Sequence, residues 1–288
     1  MKNIILLMRP NQYIKNLAIF LPLFFAMEIF NVKLLLNAGI AFIAFSLCAS
    51  GVYILNDYFD IEKDRLHPKK RNRPLAAGTI SKQAAFTLMI FLFITGITLM
   101  IILSRGAAIV LGIYVLLNIG YSIRLKHIAI IDVTIIAIGF VLRLFVGSEA
   151  TLVPLSKWIV LMTFLLALFM ALGKRRDDVL VFIETREKMR KVTDGYNLQF
   201  LDGAMMIMAS VVIVAYTLYT TSVEVIMKLQ SDYVYLTTIF VVLGILRYLQ
   251  ISFVEKDSGD PTHIAIRDTF MHLVLIGWVI AFIWILYL

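Results

Sequence analysis

The chain has 288 residues, of which 61% are hydrophobic and only 16% charged, and its mean hydropathy is +0.90. A soluble domain carries about 25% charged residues, so this composition excludes a soluble enzyme and predicts an all-α, polytopic membrane helical bundle. The only cysteine, Cys48, lies in an apolar stretch, which excludes a disulfide framework and a cysteine metal site.

Nine hydrophobic stretches are predicted to cross the membrane. They cover residues 16–30, 34–55, 84–103, 107–121, 128–148, 157–173, 203–222, 233–252 and 269–288. The apolar run before them is too short for a cleavable signal peptide, because Arg9 and Pro10 interrupt it. We expect a single transmembrane domain over residues 1–288, with its two ends on opposite sides of the membrane.

The basic residues are distributed unequally between the two sides of these spans. With the N-terminus in the cytoplasm, 22 of the 27 lysines and arginines lie in cytoplasmic segments and four in outer ones, while Arg143 falls inside a span. This asymmetry predicts a cytoplasmic N-terminus in the cell inner (plasma) membrane. It also accounts for most of the net charge of +8, so we expect no nucleic-acid partner.

Carboxylates are concentrated at the cytoplasmic end of the second span, in the sequence NDYFDIEKD. Asn56, Asp60 and Asp64 are spaced i, i+4 and i+8, which predicts one helical face, with Asp57 between them and Tyr53 one turn closer to the membrane. We call Asn56, Asp57, Asp60 and Asp64 the acidic ladder. Amide and carboxylate oxygens suit Mg²⁺, so the ladder predicts a magnesium site; the alternative is a solvated helix end with dispersed charges.

A basic loop follows the acidic ladder directly. Its bases are Arg65, Lys69, Lys70, Arg71 and Arg73, and Pro68 and Pro74 interrupt helix formation around them. Some of these bases are expected to anchor the loop to anionic lipid. Next to a metal site they are also suited to bind a diphosphate.

Several motifs resemble one known superfamily. The stretch NDYFDIEKDR resembles the N-D-x-x-D-x-x-x-D signature of the UbiA-type intramembrane prenyltransferases. Five further stretches of the chain resemble one branch of this superfamily, the decaprenyl-phosphate phosphoribosyltransferases. They are MRPNQYIKN, HPKKRNRPLAAG, YSIRLKHIAIIDV, GFVLRLFVG and ALGKRRDD, all within residues 8–178. The resemblance implies about nine helices around a central cavity open to the cytoplasm, with Mg²⁺ on the acidic ladder.

One loop departs from the usual pattern of the superfamily. Where its other members have a second Asp-rich motif, this chain has GKRRDD, with Lys174, Arg175 and Arg176 leading. A basic cluster binds an anion directly, whereas a second acidic motif would bind a second cation. In the phosphoribosyl branch the donor, phosphoribosyl pyrophosphate, and the acceptor, a polyprenyl phosphate, are both anionic. The alternative is that the cluster only anchors a helix at the lipid surface.

Three further charged residues are candidates for substrate binding. Arg143 lies deep in the fifth span, where an arginine costs about 2.5–3.5 kcal/mol, so it is expected to face the interior with a partner; the alternative is extension to the outer surface. Lys126 and Arg143 are candidates for holding the acceptor phosphate, and Asp132 for pairing with either. Lys15 is expected at the cavity mouth, although lipid anchoring explains it almost as well.

The resemblance therefore implies Mg²⁺-dependent transfer of 5-phosphoribose from phosphoribosyl pyrophosphate to a polyprenyl (decaprenyl-type) phosphate, for cell-envelope glycan synthesis. The catalytic metal ligands would be Asn56 and Asp60 with Asp57 or Asp64; the substrate-binding residues would be Lys15, Tyr53, Lys70, Arg73, Lys126, Arg143, Lys174 and Arg175.

Several alternatives stay open at this point. One is a prenyltransferase that uses a prenyl diphosphate donor, and a less favoured one is a membrane transporter, which usually has its ionisable residues near the bilayer midplane. Asp257 and Asp260 are candidates for a substitute second metal site, but the helix N-cap formed by Asp260 before Pro261 is the favoured interpretation. The oligomeric state is undetermined, and a homo-oligomer is compatible with the sequence.

Overall fold

The computed structural model describes residues 2–66, 70–185, 191–255, 264 and 267–287, and every regular element in these ranges is helical. The long helices are α1 (Val32–Phe59), α2 (Lys82–Leu103), α3 (Arg105–Ile123), α4 (Ile131–Thr151), α5 (Lys157–Thr185), α6 (Leu198–Thr220), α7 (Thr238–Gln250) and α8 (Thr269–Tyr287). Shorter helical segments are Lys2–Met8, Pro10–Phe20, Leu21–Phe25, Ile61–Leu66, Lys70–Asn72, Leu125–His127, Lys191–Gly195, Val223–Leu229, Val234–Thr237 and Ile251–Glu255.

Seven helical stretches in the described ranges are long and apolar enough to cross a membrane, and they coincide with the second to eighth predicted spans. The last of these, Val234–Glu255, consists of Val234–Thr237, α7 and Ile251–Glu255 in succession. The all-α, polytopic class is therefore confirmed. The first predicted span is not one continuous helix. It divides into the 3₁₀ segment Pro10–Phe20 and the short helix Leu21–Phe25, each with a proline in its first turn. The ninth corresponds to α8, whose apolar stretch Thr269–Ile285 is shorter than the other spans.

Polar side chains define where several long helices begin. Asn31, Ser81 and Ser104 accept hydrogen bonds from backbone N–H groups three residues further on, at the start of α1, α2 and α3. The backbone N–H groups in the first turn of a helix have no partner within the helix, so these capping side chains stabilise that turn. Ser104 alone connects α2 to α3, which makes the turn between these two helices very short.

The chain forms two compact units, Met1–Val160 and Leu161–Leu288. In the first unit the backbones of α1 and α2 approach closely, because Gly96 lies against Cys48 and the carbonyl of Ala44; a Cβ at Gly96 would lie 2.6 Å from the Cys48 sulfur. Small residues permit this kind of helix packing in membranes. In the second unit Trp278 donates a hydrogen bond to the Tyr216 hydroxyl, which links α8 to α6. The single domain over residues 1–288 and the central cavity stay predictions.

Candidate active site

The acidic ladder lies where α1 gives way to a second, short helix. α1 ends at Phe59, and Asp60 has non-helical backbone angles (φ −101°, ψ 6°) before Ile61–Leu66 begins. The hydrogen-bond pattern nevertheless continues, with Asp60 N bonded to Asn56 O at 3.1 Å and Asp64 N to Asp60 O at 2.8 Å. The ladder residues are therefore held on consecutive helical turns in spite of the break.

The ladder side chains form two pairs, and the predicted single face is only partly right. Asn56 and Asp60 share Lys126, whereas Asp57 and Asp64 share Arg73. At about 100° per residue, positions seven apart differ by about 20° around a helix and positions eight apart by about 80°. Asp64 therefore aligns with Asp57 and not with Asn56.

The Lys126 ammonium lies between the side-chain oxygens of Asn56 and Asp60. Its ammonium lies 2.8 and 2.9 Å from the two carboxylate oxygens of Asp60 and 3.2 Å from Asn56 Oδ1. The residue is only 7% exposed and lies in the single turn Leu125–His127 between α3 and α4. The Lys126 ammonium is therefore bound by Asn56 and Asp60 together.

Arg9 and Arg73 neutralise the carboxylates of the second pair, Asp57 and Asp64. Arg9 Nη2 lies 2.5 Å from Asp57 Oδ1, and Arg73 Nη1 lies 3.1 Å from the same oxygen and 2.7 Å from Asp64 Oδ2. Asp57 is 2% exposed, and a buried carboxylate needs such partners. The Arg9 guanidinium also lies over the Tyr53 ring, 5.4 Å from its centroid. Tyr53 thus contributes an aromatic surface to this site.

Arg9 was not among the site residues that the sequence predicts, although it belongs to the motif MRPNQYIKN. The backbone at Arg9 is left-handed (φ 54°, ψ 57°), a conformation that costs about 1–2 kcal/mol for a non-glycine residue. Ser50 of α1 holds this turn by donating to the Met8 carbonyl at 2.8 Å, and its hydroxyl also bonds Tyr13 at 2.8 Å. The motif MRPNQYIKN indicated that this segment matters, but it did not indicate that Asp57 is the partner of Arg9.

Arg143 faces the interior of the first unit and is 5% exposed, which excludes extension to the outer surface. It donates from Nε to Asn16 Oδ1 at 2.8 Å and from Nη1 to the Gly139 carbonyl at 2.6 Å. Its guanidinium lies 4.8 Å from the ring centroid of Phe45 and 5.1 Å from that of Tyr114. These partners of Arg143 are neutral groups and aromatic rings. The pairing of Asp132 with Lys126 or Arg143 stays a prediction.

The basic cluster of the second unit lies on a helix and not in the predicted loop, because α5 continues to Thr185. Arg175 is 1% exposed and donates to Asp178 at 2.6 Å. Arg176 donates to Asp202 Oδ1 and to the Ser252 carbonyl, both at 2.6 Å. The burial of both arginines excludes simple anchoring at the lipid surface. Anion binding by Lys174 and Arg175 stays a prediction.

The remaining candidate residues lie at several places in the fold, and their roles stay predictions. Lys15 is partly exposed on Pro10–Phe20, beside Asn16, and Lys70 is partly exposed on Lys70–Asn72. Asp132 is fully buried at the start of α4. Asp257, Asp260 and Pro261, like Pro68 and Lys69, lie outside the described residues.

The acidic ladder supplies the oxygen ligands that a hard cation prefers, although its carboxylates do not form one cluster. Within the described ranges no group of three or more acidic, histidine or cysteine side chains is arranged to hold a metal ion, because the second pair turns toward Arg9 and Arg73. The amide oxygen of Asn56 and both oxygens of Asp60 nevertheless converge on a single cation, the Lys126 ammonium. Such oxygens are suitable Mg²⁺ ligands, so Asn56 and Asp60 fit the ion.

Comparison with known proteins agrees with this architecture. Residues 17–274 match the UbiA prenyltransferase family. The chain is 31% identical to the decaprenyl-phosphate phosphoribosyltransferase of Corynebacterium glutamicum over 285 residues, 98% of this chain and 86% of that protein. It is 32% identical to the enzyme of the same name from Mycolicibacterium smegmatis over 284 residues, covering 94% and 88%.

A solved structure shares the fold. A UbiA homologue from Archaeoglobus fulgidus, bound to DMAPP and Mg²⁺, superimposes with a TM-score of 0.73 at 17% identity, over 99% of this chain and 100% of that one. At this identity the likeness concerns the fold alone. The family match and the length of the similarity to the two relatives carry the assignment: this chain is a transferase with several membrane spans and belongs to the UbiA prenyltransferase family.

Proposed function

We propose that the chain transfers 5-phosphoribose from phosphoribosyl pyrophosphate to a polyprenyl phosphate and releases pyrophosphate. The observation that carries this proposal is the similarity to decaprenyl-phosphate phosphoribosyltransferases, which extends over 94–98% of the chain. We further propose that the reaction takes place at the cytoplasmic face, since the basic residues predict that orientation.

The partners of the second-unit acids support one metal site instead of two. Asp178 and Asp202 each accept a hydrogen bond from an arginine at 2.6 Å. The segment around Asp178 also leads with Lys174, Arg175 and Arg176, and it lacks the D-x-x-x-D spacing of a second acidic motif. A donor held by one ion and by basic side chains therefore suits this chain better than a donor bound through two metal ions.

In the first unit, Asn56 and Asp60 would hold the Mg²⁺, with Asp57 or Asp64 completing the set. When bound, the ion would neutralise charge on the pyrophosphate leaving group. Arg73 lies beside these ligands and uses one terminal nitrogen for Asp57 and Asp64, so its other N–H groups can bind a donor phosphate. Lys15 and Lys70 would contribute further positive charge.

The bond from C1 of the ribose to the pyrophosphate oxygen breaks, and a bond from C1 to an oxygen of the lipid phosphate forms. Because that phosphate is already ionised, no general base is needed, and positioning and charge stabilisation supply the catalysis. Arg143 is the proposed contact of the lipid phosphate. Its described partners are neutral, so its charge is available to an anion.

The test uses the full-length chain in detergent or nanodiscs, with radiolabelled phosphoribosyl pyrophosphate and a polyprenyl phosphate. We expect a lipid-extractable labelled product that requires Mg²⁺ and disappears with EDTA. A parallel reaction receives a prenyl diphosphate and an aromatic acceptor. If only this second reaction yields product, the chain is a prenyltransferase and the proposal is wrong.

A further inference from the structure

We propose that Lys126 acts as an internal counter-ion that the Mg²⁺ must displace, and that its ammonium then turns to the bound anion. This inference rests on the proposed magnesium site. It concerns the same oxygens, because Lys126 lies 2.8 and 2.9 Å from the two oxygens of Asp60 and 3.2 Å from Asn56 Oδ1.

The contacts make the two occupants mutually exclusive. An ammonium bonded to both oxygens of one carboxylate covers the positions that a metal ion would take. Two cations around the same carboxylate would also repel each other strongly, since little water separates them: the Lys126 side chain is 8% exposed and that of Asp60 19%.

The same contacts limit what Lys126 does without the metal. The ammonium is directed at Asn56 and at both oxygens of Asp60, and the negative charge of Asp60 balances its own. Lys126 therefore presents an uncompensated positive charge to an anionic substrate only after it leaves Asp60. Metal binding and anion binding become coupled through one side chain, in addition to any direct contact between the ion and the phosphate.

The structural setting of Lys126 suits such an exchange. The residue lies in a single turn, Leu125–His127, between the ends of two long helices. A lysine side chain has several rotatable bonds, so its ammonium can move by some ångströms while the helices stay in place. While the ammonium stays at Asp60, it supplies the hydrogen bonds that the Asn56 and Asp60 oxygens accept, so these acceptors are not left unpaired in a half-buried site.

The first measurement is Mn²⁺ binding to the purified full-length chain by electron paramagnetic resonance, without any anion. Lys126→Met removes the competitor, so we expect the affinity for Mn²⁺ to rise roughly tenfold. Lys126→Gln keeps a polar side chain and should behave in the same way. Lys63→Gln is the matched control: it removes one charge from the exposed side of Ile61–Leu66 and should change the affinity by less than about twofold.

The second measurement follows the lysine itself. Reaction of the amine with a small acylating reagent, read by mass spectrometry, should be slow at Lys126 and several-fold faster after Mg²⁺ is added, while Lys63 reacts equally in both states. Equal Mn²⁺ affinity in the wild type and Lys126→Met, or protection of Lys126 by Mg²⁺, would overturn the exchange but leave the metal site standing. Failure of both proteins to bind Mn²⁺ would instead refute the magnesium site.

Discussion

Asn16 and Arg143 are 127 positions apart in the sequence and are joined by a hydrogen bond of 2.8 Å from Arg143 Nε to Asn16 Oδ1. Asn16 is 1% exposed and also donates to Ser46 of α1 at 2.9 Å. One amide thus connects the N-terminal 3₁₀ segment, α1 and α4. Arg9 immediately precedes this segment, so the connection helps to position the arginine that pairs with Asp57.

Replacing Asn16 should weaken this connection. We expect Asn16→Leu to lower the free energy of unfolding by about 2 kcal/mol, because a buried hydrogen bond to a charged group is lost. Unfolding in SDS measures the effect, and Asn11→Leu, at an exposed position of the same segment, should have little effect. Additive losses in Asn16→Leu combined with Arg143→Met would contradict direct coupling of the two residues.

Replacing Arg143 separates its structural contact from its proposed contact with the substrate. If Arg143 binds the lipid phosphate, Arg143→Met should raise the KM for polyprenyl phosphate by roughly tenfold or more and leave the KM for the donor near its original value. Asn16→Leu is the comparison, since it removes the partner but keeps the charge. An equal rise in both variants would show that Arg143 acts only by positioning.

Asp60 is the ladder residue whose loss should affect metal dependence most. Asp60→Asn replaces one of the converging carboxylate oxygens by an amide nitrogen and should reduce turnover by about two orders of magnitude, with a higher Mg²⁺ concentration for half-activation. A magnesium titration of the labelled-donor reaction measures both. Glu62→Gln, two residues away and exposed, is the control. An unchanged titration in Asp60→Asn would exclude Asp60 as a ligand.

Arg9 should contribute to stability through Asp57. Arg9→Met removes one of the two arginines that neutralise a 2% exposed carboxylate, and we expect a loss of about 1–3 kcal/mol in SDS unfolding. Adding Asp57→Asn should recover part of this loss, because the buried charge disappears with its partner. Glu62→Gln breaks an exposed pair with Arg65 and should cost less than about 0.5 kcal/mol. Equal losses in Arg9→Met and Glu62→Gln would contradict the argument.

Two glycines of α4 provide a matched test of how the N-terminal segment packs. A Cβ at Gly147 would collide with the backbone carbonyl of Ile19, whereas a Cβ at Gly139 would lie 3.5 Å from Arg143 Nη1, an ordinary contact. Gly147→Ala should therefore lower the unfolding free energy by about 1–3 kcal/mol and weaken the bond between Asn16 and Arg143. Gly139→Ala should be tolerated, and equal behaviour of the two variants would count against this packing.

Much of the architecture follows from the sequence alone. Seven of the predicted spans are long helices, because about 20 apolar residues in a membrane must satisfy their backbone hydrogen bonds within the segment. The N-D-x-x-D-x-x-x-D spacing was sufficient to identify the superfamily and the ladder. These features are local: each depends on residues within one or two helical turns or within one span.

The partners of the charged groups were decided only by the tertiary structure. Arg9 and Asp57 are 48 positions apart, Lys126 and Asp60 are 66 apart, and no sequence pattern connects either pair. The pairing of Asp57 with Asp64 likewise depends on where Arg73 lies. In a low-dielectric interior each charge is stabilised by whichever group the packed helices bring within about 3 Å, and that choice is made by the packing of whole helices, not by the spacing of residues along one of them.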